Sequence, residues 1–184
     1  SSVGSSGAET ARGARPAVAT PLPDFSRWGE VERQAMSNIR RKTAEHLSRA
    51  WNAVPHATQC EKAAITALEV LRKKYAGEVE KHEGKLTVTA ILVKVLAAAV
   101  KQFPQFNSSV DMASQEIVFK KYVNVGVAVD TDRGLLVPVV RNADQKNIMQ
   151  IAVEVQQAAV KARDRKLSLE DMSGGGISIS NLGG

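Results

Sequence analysis

The sequence predicts a mixed fold, α/β of the α+β kind, and three observations carry that expectation. Residues 122–144, YVNVGVAVDTDRGLLVPVVRNAD, read as two strands flanking a polar turn, Asp130-Thr131-Asp132-Arg133-Gly134, the first of them alternating with period two. Helical apolar patterns stand on both sides of it. Near the end of the chain, ISISNL (177–182) alternates again behind a run of glycines. The order helix, strand, two helices, hairpin, helix, strand calls for a mixed sheet with flanking helices.

In chain order, residues 1–23 are rich in Ser, Gly, Ala and Pro without apolar periodicity. That is the composition of a flexible linker, stiffened late by Pro16, Pro21 and Pro23. The folded part is expected over 24–184. DFSRWGEVE then presents Phe25 and Trp28 on an extended arm that would pack on a neighbouring surface. Ser37 is placed to cap a helix running to about Trp51, with Met36, Ile39, Thr43, Leu47 and Trp51 as its apolar stripe. Lys42, His46 and Arg49 recur beside that stripe at steps of four and three. Such a basic edge is either a solvated face or an anion-binding one. Pro55 ends the helix, and His56–Ile65 reads as a strand. Thr66 would cap the next helix, with Leu68, Leu71, Tyr75 and Val79 apolar and Gly84 closing the segment. Thr87–Phe103 is apolar nearly all round, the pattern of a helix buried inside a fold, and Pro104 stops it.

The first arm of the hairpin puts Val123, Val125, Val127 and Val129 on one face, ready for a core. Asn124, Gly126, Ala128 and Asp130 form the other face, small enough that something must lie close to the backbone there. Pro138 in the second arm removes a ladder donor and suits an edge or a bulge. The exit Arg141-Asn142-Ala143-Asp144 is either a site or a solvated turn. Ile148, Ile151, Val155, Ala159 and Ala162 give a further amphipathic helix. Ser168-x-x-Asp171 has the form of a short capping box, and Ser173-Gly174-Gly175-Gly176 leads into the last strand.

The composition bounds the function. With 184 residues, 43% hydrophobic and 24% charged, the chain can build one good core. Its net charge of +6 is spread, and two Trp, two Tyr and four Phe are scattered. Nucleic-acid binders pair a basic stripe with stacking aromatics, so no nucleic-acid partner is expected, whereas phosphates on a small molecule would be attracted equally well. The run 90–100 is interrupted by Lys94 and is too short to span hydrocarbon, so no membrane partner is expected. A lone Cys60 allows no intrachain disulfide and fits a reducing compartment. Metal ligation is not expected either, since only His56 and Cys60 show any ligand-like spacing.

A base for nucleophilic catalysis would have to be His46, His56 or His82, and none has Asp four residues on; those positions hold Ala50, Cys60 and Leu86. There is no GxSxG elbow, phosphate loop or dinucleotide fingerprint. Ser180 stands out because it lies on an alternating strand between glycine runs. It is either an exposed serine of an edge strand or a hydroxyl held rigidly enough to donate to an oxyanion.

Four segments in this order carry a resemblance: Met36-Ser37-Asn38-Ile39-Arg40-Arg41, Val54-Pro55-His56-Ala57-Thr58-Gln59, the hairpin, and ISISNLGG. Together they resemble the catalytic core of the dihydrolipoyl acyltransferases of 2-oxo acid dehydrogenase complexes. Leu47–Trp51, Asn52–His56 and Lys120–Val123 are most similar to the acetyl-transferring branch, that of the pyruvate dehydrogenase complex. Succinyl and branched acyl groups remain open. The resemblance implies a chloramphenicol-acetyltransferase-like, coenzyme A-dependent fold and acyl transfer between a dihydrolipoyl thiol and coenzyme A. The lipoyl group would ride on a separate domain, and no metal is implied. It assigns Ser180 to oxyanion stabilisation and places Arg49, Lys42 and His46 where the family binds coenzyme A. Asn124, Gly126, Ala128 and Asp130 become candidates for lining a thioester channel. The family's catalytic histidine sits in a DHR-type motif beyond the serine strand. This sequence has no such motif, so the 184 residues alone are expected to be inactive and incomplete at the C-terminus. The implied partners are a homotrimer building a larger core, the lipoyl domain, the 2-oxo acid decarboxylase and dihydrolipoyl dehydrogenase. The implied location is bacterial cytoplasm or mitochondrial matrix. The competing reading is a non-catalytic core paralogue that only assembles or tethers.

Overall fold

The computed structural model describes residues 21–132 and 134–181. The proposed linker therefore lies largely outside the described residues, as do Arg133 and Leu182–Gly184. The chain divides between Ala35 and Met36 into two compact units. In the first, Asp24 caps a 3-10 turn at Phe25–Arg27, its Oδ1 accepting from the Ser26 amide at 3.1 Å. The expected extended arm is thus a turn, because the carboxylate satisfies an amide locally. The Phe25 and Trp28 rings meet at 6.4 Å, tilted by 52°.

The second unit contains helices α1 (Asn38–Ala53), α2 (Thr66–Glu80), α3 (Val88–Gln102) and α4 (Ile148–Arg163). Its strands are β1 (Ser108–Asp111), β2 (Glu116–Phe119), β3 (Val125–Val127), β4 (Val129–Thr131), β5 (Gly134–Leu136), β6 (Val139–Val140) and β7 (Ile177–Ile179). Side-chain caps set three helix starts, and that of Ser37 is as the sequence predicts. Ser37 Oγ accepts from the Arg40 amide at 3.3 Å, and Thr87 Oγ1 from the Ala90 amide at 3.1 Å. Asn147 and Gln150 form a reciprocal capping box on α4. Thr66 is the exception: it is the first helical residue, and Ile65 occupies the cap position without a side-chain bond.

The hairpin forms, broken into two ladders. Val125 pairs antiparallel with Val140 and Gly126 with Val139, then Val129 with Leu136 and Thr131 with Gly134. The break falls at Ala128 opposite Val137-Pro138, and Pro138 donates nothing but its carbonyl accepts from Val127 N at 2.9 Å. β7 adds to β3 in parallel, giving the sheet order β6-β3-β7.

α3 and α4 pack against each other over this sheet. Ala90, Val93, Ala97 and Val100 recur at helical spacing and meet Val123, Val125, Val140, Ile151 and Ala152 in one core cluster. The expectation that α3 is buried all round is corrected. Leu92 and Val95 stay 43% and 55% exposed, because sheet and α4 cover only one side of the helix.

Two further differences have a physical cause. The expected strand at His56–Ile65 is irregular and exposed throughout, since an extended segment becomes a strand only when it finds a partner. His56 and Cys60, the pair with ligand-like spacing, therefore lie on no strand. The β1–β2 hairpin was not foreseen: its strands are short and exposed, so they show no alternation of burial to read in advance. α1, finally, has the expected stripe but buries none of it, with Leu47 and Trp51 65% and 75% exposed.

Candidate active site

β7 is an edge strand of the sheet among the described residues, and its register explains the small face of β3. Val125 pairs with Ile177, Gly126 with Ser178 and Val127 with Ile179. In parallel pairing, partners project to the same side of a sheet. Ile177 and Ile179 thus join the valine face and pack on the core. Ser178 stands on the Gly126 side, and the same alternation carries Ser180 to the side of Ala128. The small face of β3 is the serine face of β7.

Ser180 follows the last residue of β7 and is exposed. Its neighbours are held on both sides. The Ile179 carbonyl accepts from Ala128 N at 2.9 Å, and Asn181 Nδ2 donates to Thr89 Oγ1 at the start of α3 at 3.2 Å. A hydroxyl on backbone fixed in this way meets an oxyanion without having to reorganise.

The other residues of the small face divide into two pairs. Asn124 is 7% exposed; its Oδ1 accepts from Asn142 N and its Nδ2 donates to the Gly174 carbonyl, both at 2.9 Å. Gly126 is buried, with Ser178 Oγ 2.7 Å and Val137 Cγ1 2.8 Å from where a Cβ would stand. Both positions are filled by this chain's own atoms and form a packed floor. Ala128 is half-buried and Asp130 exposed, so only these two of the expected channel residues face open space.

The basic edge of α1 is exposed at Lys42, His46 and Arg49. Lys42 Nζ lies 2.9 Å from Glu45 Oε2, and that hydrogen bond holds the Glu45 carboxyl below the ordinary range. What ties α1 to the fold is its first turn. Ile39 lines a pocket of about 250 Å³ with Thr131, Asp132, Leu136, Ala162, Arg165, Leu167 and Met172. The basic residues lie further along the helix, towards Trp51, whose ring stacks on His56 at 5.0 Å.

The polar exit of the hairpin is a structural turn. Arg141 donates to the Glu170 carbonyl at 2.8 Å, and Asn142 takes a positive φ of 48°. Buried Ala143 donates to Val123 O, and Lys94 Nζ donates to the carbonyls of Asp144 and Lys146 at 2.8 and 2.6 Å. Sequence reasoning passed over Asn107, which is 3% exposed and binds the Lys120 and Tyr122 carbonyls. Its one visible signal is a polar residue directly after the Phe103-Pro104-Gln105-Phe106 turn. Among the described residues no three His, Cys, Asp or Glu side chains cluster as metal ligands would, and no helix is long and apolar enough to cross a membrane.

Helices thus pack over a mixed sheet whose parallel strand β7 leads to an exposed serine. The family model of the 2-oxoacid dehydrogenases acyltransferase (catalytic domain) matches residues 29–184, and the chain belongs to that family. Its relatives include the dihydrolipoyllysine-residue acetyltransferase component of the pyruvate dehydrogenase complex from Azotobacter vinelandii. That protein is 46% identical over 160 residues, covering 87% of this chain and 25% of the relative. The component from Cupriavidus necator is 44% identical over 164 residues, covering 89% of this chain and 29% of the relative. The chain thus spans between a quarter and three tenths of the length of these relatives.

Solved structures agree. One of Azotobacter vinelandii dihydrolipoamide acetyltransferase concerns the role of a serine, a histidine and an asparagine in its catalytic mechanism. It superposes with a TM-score of 0.86 at 45% identity, over 89% of this chain and 68% of that one. The cubic core of a pyruvate dehydrogenase multienzyme complex gives 0.85 at 44% identity, over 89% and 67%. Family and fold class are as the sequence led us to expect.

Proposed function

We propose that this domain transfers an acetyl group between a dihydrolipoyl group and coenzyme A, with Ser180 stabilising the tetrahedral oxyanion. The observation that supports it is the placement of Ser180, exposed on an edge strand anchored at Ile179 and Asn181, in a chain 46% identical to an acetyltransferase component. In the forward direction the coenzyme A sulfur attacks the thioester carbonyl carbon and its proton passes to a base. The carbonyl oxygen becomes an oxyanion that accepts from Ser180 Oγ–H. Collapse expels the dihydrolipoyl sulfur, which takes the proton back. The base is a histidine from outside residues 1–184, as the family resemblance implies. Arg49, with Lys42 and His46 beside it, binds a phosphate of coenzyme A through charge-assisted hydrogen bonds. Ala128 and Asp130 line the approach to Ser180, above the floor of Asn124 and Gly126.

The same reading makes the domain part of a homotrimer that builds a larger core. The bare stripe of α1 and the unpaired segment 54–65 support it, because both expose surface that a second copy would cover. Lipoyl domains, the decarboxylase and dihydrolipoyl dehydrogenase are then its partners, in the cytoplasm of a bacterium.

The test is acetyl transfer by the full-length protein, with acetyl-coenzyme A and dihydrolipoamide as the probes. Ser180→Ala should lower kcat by about 10²–10³-fold with little change in KM. An unchanged kcat would overturn the serine role, and no transfer by the wild-type full-length protein would leave the non-catalytic core reading. Arg49→Ala should raise the KM for acetyl-coenzyme A at nearly constant kcat.

A further inference from the structure

Among the described residues the buried polar side chains are Asn107 and Asn124, 3% and 7% exposed, and both bear on the glycine run that enters β7. We propose that Asn107 and Asn124 are positioning residues for the transfer reaction, setting the height and register of Gly174–Gly176 and thereby the place of Ser180. The inference rests on the role proposed above for Ser180.

Asn124 grips this run at two points. Its Nδ2 donates to the Gly174 carbonyl at 2.9 Å, and its own backbone carbonyl accepts from Gly176 N at 3.0 Å. The Asn124 amide cannot swing, because Oδ1 accepts from Asn142 N at 2.9 Å. Gly174 has a φ of 77°, a conformation that few side chains tolerate, so the chain turns into β7 directly at the grip.

Asn107 sets the other coordinate. Its Nδ2 donates to the Lys120 and Tyr122 carbonyls at 3.1 and 2.7 Å, which orients the amide. Its Oδ1 is buried and accepts no hydrogen bond from a described residue. That oxygen lies 2.5 Å from where a Cβ on Gly176 would stand. Only a residue without a Cβ leaves room for that oxygen, so Asn107 limits how closely the strand approaches.

From Gly176 the chain reaches Ser180 through Ile177–Ile179, paired residue by residue with Val125–Val127 and anchored on the core by both isoleucines. Ser180 is the fourth residue after Gly176, so the register in which the glycine run is held decides which residue stands at the end of β7. An oxyanion donor must sit within hydrogen-bond distance of the forming charge, and a misplacement of about 1 Å can cost on the order of 10²-fold in rate.

The test is a double-mutant cycle in the full-length protein, read as kcat and KM with acetyl-coenzyme A and dihydrolipoamide. Asn124→Asp keeps the acceptor for Asn142 and loses the donor to Gly174. It should lower kcat by about 10–100-fold with KM within about twofold. In the Ser180→Ala background it should cost nothing further, because the group it positions is gone. Equal losses in both backgrounds, with Ser180→Ala itself slow, would overturn this inference and leave the serine role standing. An unchanged kcat in Ser180→Ala alone would overturn both. If Asn124→Asp does not fold, a second pair decides. Gly176→Ala should slow transfer, and Asn107→Ser added to it should recover most of the loss by making room for the new methyl. A double variant no faster than Gly176→Ala alone would overturn the proposal.

Discussion

Ser178 occupies the space that Gly126 leaves empty. Its Oγ lies 2.7 Å and its Cβ 3.4 Å from the position of a Cβ on Gly126, across a parallel pair of strands. The smallness of that face of β3 is therefore demanded by its neighbour in the sheet. Gly126→Ala should destabilise the domain by about 1–3 kcal/mol in denaturant unfolding, the usual cost of overpacking. Adding Ser178→Gly should recover only part, since Val137 Cγ1 also stands 2.8 Å away. A fully neutral Gly126→Ala would contradict the packing described.

Ile151 is 0% exposed and holds α4 against α3 and the sheet. Ile151→Ala should cost about 2–5 kcal/mol, because the removed methylenes leave a cavity that a rigid core closes only partly. Leu92→Ala, at a site 43% exposed, should cost much less in the same assay. Comparable losses would mean that the outer side of α3 is covered in the protein as it exists.

Asn147 donates its backbone N–H to Gln150 Oε1 at 2.9 Å and accepts from Gln150 N at 2.8 Å. Replacing it by Ala removes a helix cap and should lower stability by about 1 kcal/mol. Asn147→Asp should be close to neutral, since a carboxylate also caps and favours the positive end of a helix. Loss of stability in both variants would point to a role beyond capping.

The turn before β7 should be sensitive to acid. The Ser168 amide and hydroxyl donate to Asp171 Oδ2 at 2.8 and 2.9 Å and hold its carboxyl below the ordinary range, the backbone bond first. A depressed folded pKa contributes stability that is complete above the unfolded value and is lost as pH falls through the folded one. The stability gap between the wild type and Asp171→Asn should therefore be full near neutrality. It should shrink as pH drops below about 4, the ordinary range for an aspartate. Melting curves over that interval check it, and a gap independent of pH would contradict the assignment.

Much of the fold was legible because it rests on local chemistry. Ser37 and the Ser168–Asp171 pair make the local bonds expected of them, and the stripe of α4 faces the core. His56–Ile65 was misread because strand propensity cannot supply a partner, and β1–β2 was missed because neither strand buries a face. Ser180, the proposed oxyanion donor, stands out in the sequence through its motif. Asn107 does not, since nothing in a short polar run marks which asparagine will be buried.

By itself, the sequence determined the family, the helix boundaries set by caps and prolines, and the hairpin with one apolar and one small face. Each of these follows from a few neighbouring residues. Only the tertiary structure decided why that face is small and how Ser180 is held. The answer depends on a parallel strand reached some fifty residues later, Gly126 against Ser178 and Asn124 against Gly174. Pairings at such separation are set by which surfaces can be buried together, and no local pattern records them.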